Sequence, residues 1–332
     1  MGVSFIGNLI PDADPFSDSG KVRSIYLDGL SGTVFAGLKR NHARNHGRYD
    51  IGLFGNSRSL NVAKLDLAID SCSFFNFSIG GESFRSSIAY LEQLSADGTL
   101  PRIAAISVDN FELQRYNNPL FLAVPDRWGL IARDLRSGWQ RPDISLSELA
   151  RMGWRHALIE SRLFKQNFQV EFFLKGLKWL AGQRTKFFDR SEGEGTYLAD
   201  GSRQSAPASP VKKEGNVFSP GSPQILFGYL RYDLERLKRL QDRGTHLVLF
   251  ETLLEPKSAR VYAENPSPYA NDTRKRFLSI CQELSFRCHT APGDVPFSTL
   301  PWEEITHPPG KSTGAYLTGL LADEIGRCKR DI

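Results

Sequence analysis

What this sequence has little of narrows it first. It contains no run of 18 apolar residues, which excludes a membrane-spanning helix. Cysteine is scarce. The four residues, at 72, 281, 288 and 328, form no CxxC pair and have no histidine at zinc spacing. Neither a zinc module nor a disulfide framework is therefore implied. Cys72, inside an aromatic run, reads as a small buried hydrophobe, whereas Cys281 and Cys288 could pair in an oxidising compartment. The opening MGVSFIGNLIPDADPFSDSG lacks a basic segment followed by an apolar one, so no signal peptide is read and the chain as written is cytoplasmic. A start lying upstream would instead allow a periplasmic or envelope-associated protein. Cationic clusters are also missing. The net charge is only +5, and Lys and Arg alternate with acids, as in RYDLERLKRLQDR (231–243). This pattern describes solvated helix faces and excludes a nucleic-acid stripe. The charge balance leaves an anionic substrate or a membrane surface open without indicating either.

What is present is a strand-and-helix alternation. Five short apolar runs read as strands: 50–55, 73–79, 102–108, 245–251 and 285–290. They are rich in Ile, Val, Leu and Phe without clean alternation, as parallel strands covered on both faces are. Between them, apolar residues recur at helical spacing: Phe84, Ile88, Leu91 and Leu94; Leu226, Leu230, Leu234 and Leu237; Phe277, Cys281 and Leu284; Leu317, Leu321 and Ile325. The expected fold is a single α/β domain over 1–332, a doubly wound α/β/α sandwich on a central parallel sheet of about five strands, flavodoxin-like. An insertion, 112–224, separates strands three and four. Its first part is helical, with a capping box from Ser145 and Glu148 and a staple from Ile144 and Leu149. Its last part, 191–223, is Ser-, Gly- and Pro-rich and reads as a flexible loop or lid.

Chemistry in such sheets gathers at the carboxyl ends of the strands, where the winding reverses. The first strand ends in Gly55-Asn56-Ser57-Arg58-Ser59. A serine there is either a helix cap or a nucleophile at the start of a helix, where free N–H groups favour developing negative charge. After the second strand, Asn76-Phe77-Ser78-Ile79-Gly80-Gly81-Glu82-Ser83 offers paired glycines, suited to a tight turn or to presenting an N–H to an oxyanion. After the third come Ser107-Val108-Asp109-Asn110, a polar cluster that could equally be an Asx turn. Near the C-terminus, Pro308 disfavours helix at His307, so Glu304 and His307 share a loop. There the glutamate can orient the imidazole and leave Nε2 as a base.

In order and location these blocks resemble the SGNH (GDSL-like) hydrolase superfamily, over most of the chain outside the insertion. GNS at 55–57 is similar to the nucleophile block, usually Gly-Asp-Ser. NFSIGGES at 76–83 resembles the oxyanion-glycine block, with Gly81 as that glycine. SVDN at 107–110 stands for Gly-x-Asn-Asp, and Glu304-Ile305-Thr306-His307 for Asp-x-x-His. GNSRS and the later FETLLEP (250–256) look like the subgroup associated with exported polysaccharides and envelope acyl groups. The resemblance implies a serine ester hydrolase or O-acyl(acetyl)transferase acting on a carbohydrate, envelope polymer or small ester. Its triad is Ser57, His307 and Glu304, and its oxyanion hole uses the N–H groups of Ser57 and Gly81 with an Asn side chain. It implies no metal and no organic cofactor.

Three positions depart from the family. Asn56 replaces Asp. Asp109 aligns with the oxyanion Asn, so either it is protonated, or Asn110 serves, or a donor is missing at a cost of about 10²–10³ in rate. Glu304 is a methylene longer than Asp. These departures define an alternative, a catalytically silent glycan-binding or polysaccharide-export accessory protein.

Among the remaining candidates, Arg58 could meet an anionic substrate group, though an exposed Arg at a helix start needs no function. His156 falls on an apolar face and reads as a core residue. His42 and His46, within HARNHGR, read as a solvated turn. His289, at the end of the fifth strand, is the reserve base. Trp128, Trp139, Trp154 and Trp179 are expected mostly in the core, with one possible lining for a sugar groove. Oligomeric state is not legible.

Overall fold

A computed structural model describes residues 16, 31–69, 71–80, 83–108, 127–167, 198–203, 226–253, 268–289, 308 and 310–328. In chain order the elements are α1 (Ser31–His46), β1 (Ile51–Phe54), α2 (Ser57–Leu60), a 3₁₀ turn (Lys64–Asp66), β2 (Phe74–Asn76), α3 (Phe84–Ala96) and β3 (Ile103–Val108). They continue with α4 (Arg127–Gln140), α5 (Leu146–Asn167), α6 (Phe227–Gln241), β4 (His246–Glu251), α7 (Pro268–Glu283), β5 (Arg287–His289), α8 (Gly310–Leu320) and α9 (Ala322–Cys328).

The five strands form one parallel sheet in the order β2-β1-β3-β4-β5. Alternate side chains leave each strand on opposite faces, and both faces are covered. Phe54, Phe75, Ala104, Ile106, Leu247 and Leu249 pack under α1, α3, α6 and α7. Ile51, Leu53, Phe74, Ile103, Ala105, Val248 and Phe250 pack against residues 62–72, α8 and α9. This is the expected doubly wound sandwich, and burial on both sides explains the lack of polar alternation in the strands. All four apolar positions expected on α3 and all four expected near α6 are buried. The last expected helix is split into α8 and α9, yet the bonds Leu321 N to Leu317 O and Ile325 N to Leu321 O carry its ladder across the join.

The insertion contributes α4 and α5. The capping box is present: Glu148 N donates to Ser145 Oγ at 3.2 Å, and Ser145 N donates to Glu148 Oε2 at 2.9 Å. A buried charge network joins this hairpin to the sandwich. Arg85 of α3 donates to Asp134 of α4 at 2.9 Å and to Asp233 of α6 at 2.6 Å. Arg236 donates to Asp233 and Glu92, and His156 lies 3.3 Å from Asp134. Burial by itself pushes the Asp134 carboxyl up, but the Arg85 guanidinium, the His156 hydrogen bond and Arg236 outweigh it and hold the group well below its ordinary range. His156 is thus a core residue with an ionic partner.

Three expectations need correction here. Cys72 is buried, but it is bonded to Cys328, and Cys281 is bonded to Cys288, so two disulfides link all four cysteines. The first brings α9 onto the loop before β2 across 256 residues, a separation that leaves no local signal. His42 is not in a solvated turn. It sits buried on α1, stacked on Phe75 and 2.6 Å from the Tyr49 hydroxyl. Trp128, Trp139 and Trp154 are not core residues, being 69%, 75% and 65% exposed. Within the expected loop 191–223, residues 198–203 lie against the end of β2, with Asn76 N donating to Asp200 O at 2.7 Å; the rest of that stretch lies outside the described residues.

Candidate active site

The turn after β1 shows which residue caps the helix that follows. Asn56 takes an extended conformation, and its Oδ1 accepts Arg58 N at 2.9 Å, so Asn56 caps α2. Ser57 is the first helical residue and Ser59 the third, and neither is the cap. Ser59 is fully buried, its Oγ 3.0 Å from Ser78 Oγ, 3.0 Å from Ser107 Oγ and 3.2 Å from Asn56 O. It ties together the segments leaving β1, β2 and β3. A Cβ at Gly55 would run into both Ser107 Oγ and Ser59 Oγ, which is why glycine precedes the block. Ser57, in contrast, stays partly exposed.

Two residues not singled out by sequence brace this turn. Asn76 Nδ2 donates to the carbonyls of Ser59, Leu60 and Val62, and Asn76 Oδ1 accepts Ser78 N. Orphan carbonyls at the end of α2 are thereby satisfied. Lys39 of α1 is completely buried and donates to the carbonyls of Asn76, Ser78 and Gly201 at 2.6, 2.8 and 2.7 Å. Three carbonyls match the three donors of an ammonium. Burial pushes Lys39 well down, opposed by the charge of Asp200. Nothing in the surrounding AGLKRNH marks this lysine as internal. Asn76 lay inside a recognised block, but only the block's glycines had attracted a role.

Arg58 is not the exposed residue expected. It is 4% exposed, and its guanidinium donates to the Leu253 carbonyl beyond β4. Since Thr252 N pairs with Val108 O, the ladder carries residues 252–253 to the same rim, and Arg58 links the ends of β1 and β4 across β3.

His289, the reserve base, ends β5. Register runs Phe54–Ile106–Leu249–Cys288, so three strand spacings, about 14 Å, separate β5 from β1. Burial and then Arg287 lower the His289 pKa.

The C-terminal helix does approach the site. A Cβ on Gly310, the first residue of α8, would collide with Asn61 O and come within 2.8 Å of Asp66 Oδ2. Gly81, Asp109, Asn110, Glu304 and His307 lie outside the described residues.

Comparisons with protein-family models, curated proteins and solved structures find no match. The site therefore stands on its geometry. Ser57 opens a helix at the carboxyl end of β1 beside β3, where the strand order reverses. Its neighbours Asn56 and Ser59 are committed to structure. Among the described residues, no three His, Cys, Asp or Glu side chains are placed to hold a metal ion. Nor is any described helix long and apolar enough to cross a membrane.

Proposed function

We propose that this chain is a serine ester hydrolase or O-acyltransferase of the SGNH type, acting on an acylated carbohydrate or envelope polymer. The observation that carries it is the turn at 55–59, where a partly exposed serine stands at the reversal point of the sheet and a buried network fixes the residues on either side. His307 removes the Ser57 proton, Ser57 attacks the ester carbonyl, and collapse of the tetrahedral intermediate breaks the ester C–O bond and releases the alcohol, which takes that proton from His307. The N–H groups of Ser57 and Gly81 hold the oxyanion with the Asn110 amide, because a carboxylate at Asp109 would repel it. Glu304 orients His307. A sugar hydroxyl or water then takes the acyl group from Ser57.

Two further observations support this reading. His307 is three positions before Gly310 in the chain, a reach of at most about 11 Å, and Gly310 is packed against Asn61 beside the Ser57 helix. Asn56 provides the cap through a carbonyl oxygen, which Asn and Asp both possess, so this departure costs the turn nothing. The two disulfides favour an oxidising compartment, and hence the periplasmic or envelope assignment over the cytoplasmic one.

Labelling with a fluorophosphonate and release of acetate from an aryl ester test the proposal. Both are expected in the native chain and absent in Ser57→Ala. Labelling that persists in Ser57→Ala, or no labelling of the folded native chain, overturns it.

A further inference from the structure

Three tryptophans on the insertion hairpin have no part in the proposed chemistry. Trp128, Trp139 and Trp154 are exposed, and so are Leu146 (72%) and Leu158 (37%). Helical geometry at about 100° per residue puts Trp128, Ala132 and Trp139 on one face of α4. The same geometry puts Leu146, Ala150, Trp154, Ala157 and Leu158 on one face of α5. Leu135 meets Gly153, and Leu149 meets Gly138, so the helices run antiparallel. Trp154 then falls level with residues 133–134, between Trp128 and Trp139 and about 8 Å along the axis from each. The faces adjoin to form one apolar surface about 16 Å long.

Among the described residues, its fully exposed ionic side chains are Arg136 and Arg151, both cationic. Of the acids on the two helices, Asp134 is buried against Arg85, Glu148 is engaged with Ser145 and Gly228, and the half-buried Glu160 lies about 40° from Leu146 on the side toward α4. A sugar-stacking platform sets amides and carboxylates between its rings to meet hydroxyls, whereas this surface sets alanine and leucine there. Indoles favour the membrane–water interface, and cations favour an anionic leaflet.

We propose that the α4–α5 face docks peripherally on an anionic membrane surface, with its indoles at headgroup depth and Arg136 and Arg151 against lipid phosphates. Affinity then comes from buried apolar area together with charge. The inference is independent of the chemistry at Ser57.

The test is co-sedimentation of the full chain with vesicles of phosphatidylglycerol and phosphatidylcholine, against vesicles of phosphatidylcholine alone, with tryptophan emission followed in parallel. Binding to the anionic vesicles is expected, with a blue shift and weakening by salt. Trp128→Ser/Trp139→Ser/Trp154→Ser should weaken it at least about tenfold. Arg136→Ala/Arg151→Ala, which leaves the apolar surface intact, should weaken it about 25-fold, at about fivefold per cation. Ser57→Ala should bind as the native chain does, so this inference and the esterase reading fail separately. No binding by the folded chain, equal binding to both vesicles, or neither variant weakening binding overturns the proposal. So does self-association that the tryptophan variant abolishes, which would make a second copy the occupant.

Discussion

Gly310 lies against the carbonyl of Asn61, so the C-terminal helix begins beside the short helix that Ser57 opens. A side chain at 310 cannot be accommodated without moving α8, α2 or both. The contact therefore couples the packing of the C-terminal helix to the geometry of the proposed nucleophile.

Gly310→Ala should accordingly cost about 1–3 kcal/mol by overpacking. If the proposed triad operates, aryl-ester hydrolysis should fall further than stability suggests, since displacements of about 1 Å can cost about 10² in rate. Thermal unfolding and steady-state rates on one preparation check this. Unchanged values in both would show that the contact is slack.

Lys39→Met keeps the length of the side chain but removes the ammonium that three carbonyls accept from. Loss of about 2–5 kcal/mol is expected, because those carbonyls remain buried without a donor. Residues 198–203 should also loosen, visible as faster hydrogen exchange at the Asn76 amide, which bonds to Asp200 O. Exchange at native rates in a destabilised variant would place the effect elsewhere.

Acid should unfold the protein partly through Asp134. Its folded-state pKa is held well below the ordinary carboxylate value by Arg85, against burial. Stability from this group is present above the unfolded value, near pH 4, and is lost as pH falls toward the folded value. Arg85→Met should cost about 3–5 kcal/mol at neutral pH and move the acid-unfolding midpoint upward. Denaturant melts at several pH values measure both. An acid midpoint that does not move would assign the acid sensitivity to other carboxyls.

Reduction should destabilise the chain by about 2–5 kcal/mol, the usual contribution of a native disulfide in a small domain. Because Cys72–Cys328 closes the longer loop, Cys72→Ser should lose more than Cys281→Ser. Unfolding with and without a thiol reductant decides this. No loss in Cys72→Ser would mean that α9 is held by its packing alone.

The sandwich was readable in the sequence because its causes are local and repeated. Unbroken apolar runs become strands buried on both faces, and helical spacing marks the faces of α3 and α6. The turn at 55–59 was readable as a candidate site for the same reason: a polar break at a strand end is a local event. Whether Ser57 or Ser59 caps the helix was not decidable locally. Both lie within the first turn, and the choice went to Asn56 once Ser78 and Ser107 arrived from other strands to occupy Ser59. Arg58 and His42 read as solvated residues, and nothing marked Lys39 as internal, since composition reports polarity but not the carbonyls or rings a fold brings to meet it. Strand order puts His289 three strands from β1, and the Cys72–Cys328 link between residues 256 apart was invisible. Periodicity along the chain determines which residues are inside. Contacts between distant segments decide what each polar residue does there, because hydrogen bonds act over about 3 Å and depend on folded distance alone.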